Sequence, residues 1–251
     1  MIIGIDIGNT TVEVGFIHSR ERIKSYRLKT DQNKTADDWL LDFYQIMELE
    51  KDINPENFLI SSVVPQVETK ISEAIKKISG KSPVIIGKDI EVPIKNNYTN
   101  PAEVGIDRLI NGFAVAVEYG YPAVVIDFGT AITFDVINTK GEYEGGAIFP
   151  GIESSINALF SKTAKLPAVD FSQIKNVVGK TTSQSIKSGI YYGYLSLVEG
   201  MIEKINAETQ CKNKVVITGG NGKLISEGLK LPNIYDRYIT MKGIFLVHMK
   251  S

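Results

Sequence analysis

Residues 2–16, IIGIDIGNTTVEVGF, consist of two apolar runs separated by a short polar stretch. The first run is rich in isoleucine, and the second alternates apolar and polar residues. This pattern predicts a β-hairpin. A purely structural hairpin needs only an Asn-Gly or Asp-Gly turn. This connection instead carries the carboxylate of Asp6, the flexible Gly8 and two threonine hydroxyls, which favours an anion site with a metal ion on Asp6.

The same plan recurs at residues 123–137, AVVIDFGTAITFDVI. An apolar run leads to Asp127, a Gly129-Thr130 turn follows, and a second apolar alternation comes after it. One such hairpin is a weak signal. Two of them, each opening a series of strands and helices, predict a duplicated two-domain α/β architecture. We place the break near residues 115–122, which gives domains 1–117 and 118–251.

Hydrophobic periodicity predicts the remaining elements of both halves. In the first half these are a strand within 21–30, a helix at 35–50 capped by Thr35, a strand at 57–65, a helix at 67–79, a strand at 82–87 and a helix at 106–120. In the second half they are a glycine- and proline-containing lead into a helix within 142–160, a helix within 179–208, a strand, turn and helix at 213–229, and a helical segment at the end.

Composition and charge narrow the function class. The 251 residues are 43% hydrophobic with a net charge of −1, which is ordinary for a globular protein and gives no basic field for nucleic acid or anionic membrane. No stretch approaches the roughly 20 apolar residues of a membrane span, and the start lacks the basic region of a signal peptide. The single Cys211 fits a reducing compartment. We therefore expect a cytoplasmic protein without nucleic-acid or membrane partners.

Two glycine-rich stretches do not match familiar nucleotide motifs. In VVGKTTSQS the glycine that a P-loop needs five residues before Gly179 is Ile174, and in GGNGKL the third glycine of a dinucleotide-binding fingerprint is Ile225. Three turns remain: the two hairpins and the TGGN stretch at 218–221. Two hairpins could grip phosphates from opposite sides, and a Gly-Gly turn between strand and helix lets a flat adenosine lie against bare backbone.

This set of turns resembles the two phosphate motifs and the adenosine motif of the superfamily of sugar and acetate kinases, heat-shock chaperones and actin. The resemblance implies a duplicated ribonuclease H-like fold, the actin-like ATPase fold, with two domains of mixed sheets flanked by helices. Within the superfamily, NPAEVGIDRLINGFAV, VVIDFGTAITFDV and GGAIFPGI are similar to type III pantothenate kinases, nearly end to end. The most diagnostic part is Gly105-x-Asp107-Arg108 with Asn100-Pro101 just upstream.

The resemblance implies an ATP-dependent kinase that phosphorylates the primary hydroxyl of pantothenate to 4'-phosphopantothenate, the first step of coenzyme A biosynthesis. Phosphoryl transfer needs an acceptor for the hydroxyl proton, and with no histidine in a suitable motif a carboxylate is expected. The matching position gives this role to Asp107, and Arg108 beside it could hold the substrate or a phosphate oxygen. Without the resemblance, the pair would be an aspartate at a helix start beside a surface arginine.

The resemblance also assigns the nucleotide and its ions. Asp6 is implied to orient the magnesium ion of ATP through water, and Asp127 to bind a monovalent cation, potassium or ammonium. The residues implied to bind ATP are Asp6, Ile7, Gly8, Asn9, Thr10, Thr11, Val12, Glu13 and Thr130.

The residues implied to bind pantothenate are Tyr98, Gly105, Ile106, Asp107, Arg108 and Thr182. Taken alone, Tyr98 would be a loop aromatic and Thr182 a helix cap. The family is homodimeric, and the second subunit completes the pantothenate pocket. The apolar helix faces around Tyr191, Tyr192, Tyr194 and Leu197 are large enough for such an interface, but an intramolecular core explains them equally well.

Two other functions compete with this one. A kinase of the same fold that acts on a sugar or a small acid would share both hairpins and differ at residues 98–108. A non-catalytic nucleotide-binding relative with a regulatory role should have lost its base or a phosphate turn. Because Asp6, Asp107, Arg108 and Asp127 are all present, the second alternative is disfavoured.

Overall fold

The computed structural model describes residues 1–50, 54–161, 167 and 169–251. The chain divides into two compact units, and each unit is made of separate segments. The first unit contains Met1–Ile94, Thr99–Ala114 and Tyr238–Ser251, and the second contains Lys95–Tyr98 and Val115–Arg237. The last helix of the chain thus belongs with the first unit. The boundary at 117/118 stays a prediction about the two halves of the sequence.

Strands and helices follow one another along both units. In chain order the described elements are β1 (Ile2–Ile7), β2 (Thr11–Ile17), β3 (Ile23–Lys29), α1 (Ala36–Leu49), β4 (Phe58–Ser62), α2 (Pro65–Ser79), β5 (Val84–Ile85), α3 (Ile106–Glu118), β6 (Ala123–Phe128), β7 (Ala131–Ile137), β8 (Tyr143–Pro150), α4 (Ile152–Ser161), α5 (Thr182–Thr209), β9 (Lys214–Gly219), α6 (Gly222–Gly228), β10 (Ile234–Tyr235) and α7 (Ile239–Lys250).

The two sheets repeat one topology. Among the described residues, the first sheet has the strand order β3-β2-β1-β4-β5 and the second the order β8-β7-β6-β9-β10. In each sheet the central strand pairs antiparallel with the strand that follows it and parallel with a later one. Asp6 lies beside Ser61 on the parallel neighbour, and Asp127 lies beside Thr218. The predicted duplication of mixed α/β sheets is therefore confirmed at the level of strand pairing.

The first sheet buries both of its faces. Ile3, Ile5 and Ile7 point into a core that includes Trp39 and Phe43 of α1 and residues of α2. Because side chains alternate along a strand, Ile2, Gly4 and Asp6 point to the opposite face. On that face α7 packs against β1, β2 and β4.

Two glycines make room for α7. A Cβ atom at Gly15 would lie 2.5 Å from the Met241 sulfur, and one at Gly4 would lie 3.1 Å from Ile244. Glycine at both positions therefore lets the helix approach the sheet closely.

The second unit builds its core in the same way. Val124, Ile126 and Phe128 of β6 point into a cluster that includes residues of α4 and α5. Asp127 lies on the other face, as Asp6 does in β1. Tyr191 and Tyr194 of α5 are 2% and 5% exposed within this cluster, which favours the intramolecular core over an interface for these two side chains.

Two strands of the second sheet escaped the sequence analysis. The stretch predicted to be a glycine- and proline-containing lead is β8, which pairs antiparallel with β7. A Cβ atom at Gly146 would lie 1.7 Å from the Phe134 carbonyl oxygen, so glycine here permits a close approach of two strands instead of forming a turn. The other strand, β10, is only two residues long.

None of the helices in the described ranges combines the length and apolar character that crossing a membrane requires.

Candidate active site

The first hairpin ends in an exposed polar turn. The backbone N–H of Gly8 donates to the carbonyl of Thr11 at 3.0 Å, and the Thr30 hydroxyl donates to the carbonyl of Gly8 at 2.7 Å. Asn9, Thr10 and Thr11 are exposed at the tip. Hydrogen bonds to its backbone therefore stabilise the turn, while the Asn9, Thr10 and Thr11 side chains are exposed to solvent.

Among the residues predicted to bind ATP, two have side chains buried in the core and a third has a side chain that is hydrogen-bonded within the protein. The side chains of Ile7 and Val12 are fully buried, so only their backbone groups are available to a ligand. The Glu13 carboxylate accepts hydrogen bonds from Ser25 and Arg27 at 2.7 and 2.9 Å. The exposed side chains of the turn lie between Ile7 and Val12 in the sequence.

Asp6 lies at the C-terminal end of β1, and its carboxylate is oriented by a neighbouring strand. The Ser61 hydroxyl donates to Asp6 Oδ1 at 2.8 Å, and Ser61 itself is fully buried. Ser61 was not among the residues predicted from the sequence. The only available signal was the serine pair that ends the apolar run of β4, which is too common a feature to indicate a role.

In the turn that carries Asp107, the absence of a side chain at Gly105 lets the Asp107 carboxylate approach the backbone closely. A Cβ atom at Gly105 would lie 2.5 Å from Asp107 Oδ1 and 3.6 Å from a methyl group of Val63. The N–H of Val63 in turn donates to the carbonyl of Ile7 at 3.0 Å. Within the first unit, the structure thus links the 105–108 turn to the end of β1 through Val63.

Burial raises the pKa of the Asp107 carboxyl, while the backbone N–H of Arg108, which donates to Oδ1 at 2.9 Å, and the Arg108 charge oppose the rise. Arg108 is only 8% exposed, which differs from the surface arginine expected without the family resemblance. The turn therefore holds a half-buried carboxylate next in sequence to a buried arginine.

In the second unit, Asp127 lies beside the turn that follows β9. Gly219 has a φ of +88°, and a Cβ atom there would lie 2.5 Å from the Phe128 carbonyl oxygen and 2.6 Å from Asp127 Oδ1. The Gly219 backbone is thus packed directly against these two oxygens. The predicted adenosine turn and the predicted cation ligand are therefore neighbours in this unit.

Hydrogen bonds to its backbone also stabilise the second hairpin turn. The Gly129 N–H donates to the Ala131 carbonyl at 3.1 Å, and the Thr130 carbonyl accepts from the N–H of Gly151 and the hydroxyl of Ser154 at 3.1 and 2.9 Å. Thr130 itself is exposed. This arrangement matches that of the first hairpin, with an exposed tip supported by buried backbone.

Two predicted pantothenate residues belong to the second unit. Tyr98 is half-buried, with its ring 6.5 Å from that of Tyr143. Thr182 is the exposed first residue of α5, and the helix cap is Thr181, whose hydroxyl accepts from the N–H of Gln184. The suggestion that Thr182 caps the helix is therefore wrong, and its side chain is left for another role.

No cluster of three or more potential metal-binding side chains occurs among the described residues. Asp6 and Asp127 are single carboxylates. A single carboxylate suits a magnesium ion that takes its other ligands from water and phosphate oxygens.

Comparison with known proteins identifies the family. The family model described as type III pantothenate kinase matches residues 2–204. A type III pantothenate kinase of Persephonella marina is 56% identical over 250 residues, which cover 99% of this chain and 98% of the relative.

Comparison with solved structures supports the fold. A Campylobacter jejuni protein described as a Baf family transcriptional activator aligns with a TM-score of 0.61 at 19% identity, covering 99% of this chain and 98% of that one. MreB 5 of Spiroplasma citri, solved with AMPPNP, aligns with a TM-score of 0.53 at 11% identity, covering 99% and 96%. The actin-like ATPase fold predicted from the three turns is thereby confirmed. With a match to its family model and relatives over its full length, the chain belongs to the type III pantothenate kinase family.

Proposed function

We propose that this member of the type III pantothenate kinase family uses Asp107 as the proton acceptor when it transfers a phosphoryl group from ATP to the primary hydroxyl of pantothenate. The observation that carries the proposal is the Asp107 carboxylate itself, half-buried against the bare backbone of Gly105. A carboxylate whose pKa is raised by burial accepts a proton more readily than one in water. The product is 4'-phosphopantothenate.

Arg108 supplies positive charge beside the base. Its buried guanidinium has a rigid fork of donors that suits a carboxylate or a phosphate oxygen. We infer that it holds one of these groups of the substrates. Its position directly after Asp107 keeps the charge within reach of the reacting hydroxyl.

For ATP, we infer that the exposed turns of both hairpins contact the phosphates. Residues 6–13 and Thr130 supply backbone amides and hydroxyls for this purpose. Magnesium fits Asp6, because Ser61 orients a single carboxylate and the metal commonly uses one or two carboxylates together with phosphate oxygens. When bound, it supplies neutralisation of phosphate charge.

A monovalent cation fits Asp127. The Asp127 carboxylate and the Phe128 carbonyl lie close together beside the Gly219 backbone, and oxygen atoms such as backbone carbonyls bind potassium in proteins. When bound, such a cation supplies positive charge near the nucleotide. We propose Asp127 as its ligand.

For pantothenate, we infer contacts from Tyr98, from the 105–108 turn and from Thr182. We also propose a homodimer in a cytoplasmic setting. Because Tyr191 and Tyr194 lie in the core, the interface must use other apolar groups, and Ile148, Val177 and Val178 are 62%, 64% and 79% exposed. Light scattering of the purified protein would measure the oligomeric state.

The test of the function is a coupled kinase assay with the purified protein, magnesium and ATP. Pantothenate is compared with a panel of hexoses and small hydroxy acids, each with and without added potassium. Of the tested substrates, we expect only pantothenate to be phosphorylated. We expect added potassium to raise the rate of this reaction. Turnover of a sugar in place of pantothenate would overturn the proposed substrate, and nucleotide binding without any turnover would favour the regulatory alternative.

A further inference from the structure

Residues 95–98 form an additional edge of the second sheet. The N–H of Tyr143 donates to the Lys95 carbonyl, and the N–H of Asn97 donates to the Tyr143 carbonyl, both at 2.9 Å. Asn96 and Tyr143 form a parallel bridge. No strand was predicted between residues 87 and 106, but the backbone of residues 95–97 is paired with β8.

Side chains tie the same segment to the β7–β8 hairpin. The Asn97 amide donates to the carboxylates of Glu142 and Glu144 at 2.9 and 3.1 Å. The Asn138 amide donates to the same two carboxylates at 3.1 and 2.8 Å, and Lys95 forms an ion pair with Glu142 at 3.0 Å. Hydrogen bonds from Asn97, Lys95 and Asn138 lower the pKa of Glu142 to about 2. The Glu142 carboxylate therefore stays ionised and accepts these hydrogen bonds throughout the pH range of an enzyme assay.

The ring of Tyr98 lies over β8. A Cβ atom at Gly145, where φ is +127°, would be 3.4 Å from Cδ2 and Cε2 of that ring. The ring of Tyr143 lies beside it at 49°. The Tyr98 backbone N–H donates to the Asn96 side chain at 3.0 Å. Backbone and ring are thus both constrained.

Tyr143 is anchored by a buried carboxylate. Its hydroxyl donates to Asp135 Oδ1 at 2.8 Å, and the Thr133 hydroxyl donates to Oδ2 at the same distance. Both Tyr143 and Asp135 are fully buried. Burying a charge is costly unless it is hydrogen-bonded, and a satisfied buried polar network fixes the orientation of its members. The Tyr143 ring is therefore held in one position beneath Tyr98.

We propose that Tyr143, anchored by Asp135, and Asn97, tied to Glu142 and Glu144, form a clamp that positions Tyr98 to bind pantothenate. The clamp residues are positioning residues, because they act through Tyr98 and are not proposed to touch substrate. The inference rests on the proposed function in one respect, the role of Tyr98 toward pantothenate. The clamp should influence pantothenate binding without changing the phosphoryl-transfer step.

Tyr143→Phe removes the hydroxyl and keeps the ring. We expect the KM for pantothenate to rise about fivefold, the effect of one buried hydrogen bond, with kcat and the KM for ATP within about twofold of wild type. Asn97→Ala, at an exposed position that leaves the core intact, is expected to raise the same KM about threefold. The matched control is Tyr119→Phe, which removes a hydroxyl that donates to the buried Asp236 at 2.7 Å elsewhere in the same unit.

A double-mutant cycle with Tyr98→Ala separates positioning from general destabilisation. If Tyr143 acts through Tyr98, Tyr143→Phe adds nothing to the KM for pantothenate once Tyr98 has been truncated. The clamp is overturned by a wild-type KM in both folded single variants, by an equal effect of Tyr119→Phe, or by a Tyr143→Phe effect that persists in full without Tyr98. Failure of wild-type protein to phosphorylate pantothenate would instead overturn the proposed function.

Discussion

Asp107 combines features that change the pKa of its carboxyl in opposite directions. Desolvation raises the pKa, and the N–H and charge of Arg108 lower it, with a net rise. A carboxyl whose folded-state pKa is raised favours folding most when it is protonated, at low pH, and this contribution is lost as the pH rises through the folded pKa. The same burial that prepares the base therefore reduces stability at neutral pH.

Asp107→Asn is expected to lower kcat by at least about 100-fold, since an amide cannot accept the hydroxyl proton. The Asn oxygen can still accept the Arg108 N–H, and the buried charge is removed, so the midpoint of thermal unfolding should be equal to or above that of wild type. Steady-state kinetics and circular dichroism measure the two effects. Near-wild-type turnover in the folded variant would exclude Asp107 as the base.

The pH dependence of kcat/KM reports the same group in the free enzyme. Activity requires the deprotonated carboxylate, so it should fall as the pH is lowered through the pKa of Asp107. The midpoint of this acid limb should lie above the ordinary aspartate value of about 3.9. Circular dichroism at each pH shows that the protein stays folded. An acid limb at or below the ordinary value would contradict the role of the raised pKa.

At the scale of elements, the turn between β9 and α6 couples two predicted sites. The bare backbone of Gly219 lies against both the Phe128 carbonyl and the Asp127 carboxylate. A side chain at this position would collide with backbone at one point and displace a charged group at the other.

Gly219→Ala is therefore expected to raise the KM for ATP and to weaken the stimulation by potassium, each by about tenfold or more, because backbone must shift. The matched control is Gly80→Ala, which shares a positive φ of +71° but has nothing within 4 Å of the new Cβ atom. The control should lose only the backbone-conformation contribution to stability, about 1 kcal/mol. Equal kinetics for both variants would show that the close approach at Gly219 has no functional role.

Sequence was sufficient to predict the hairpins, the main helices and the helix cap at Thr35. These features depend on local patterns of apolar and polar residues, with a period of two in strands and about 3.6 in helices. β8 could not, since its glycines resemble turn formers and only the close approach to Phe134 explains them. The position of Tyr98 was equally inaccessible, because it depends on pairing with a hairpin more than 40 residues away. The roles of Asp6, Asp107 and Asp127 came from the family resemblance, and their supporting residues came from the fold.

At the scale of the whole molecule, each unit is discontinuous in sequence. α7 closes the outer face of the first sheet although it lies at the opposite end of the chain. Its buried side chains are Ile239, Met241, Ile244, Leu246 and Val247.

Truncation after Arg237 should therefore unfold the first unit. At about 1.5–3 kcal/mol for each buried apolar side chain, the loss is comparable with the total stability of a domain, about 5–15 kcal/mol. Truncation after His248 is the control, since the residues it removes are exposed. Thermal unfolding and proteolysis compare the two proteins. A folded, protease-resistant protein that ends at Arg237 would show that α7 is dispensable.

The late position of α7 also has a consequence for synthesis on the ribosome. The strands of the first sheet emerge before the helix that covers Gly4 and Gly15, because most of the second unit, Val115–Arg237, is translated between them. Until α7 has been translated, the nascent chain presents an uncovered sheet face, the kind of surface that chaperones bind. The first unit therefore cannot complete its fold until the second unit has been translated.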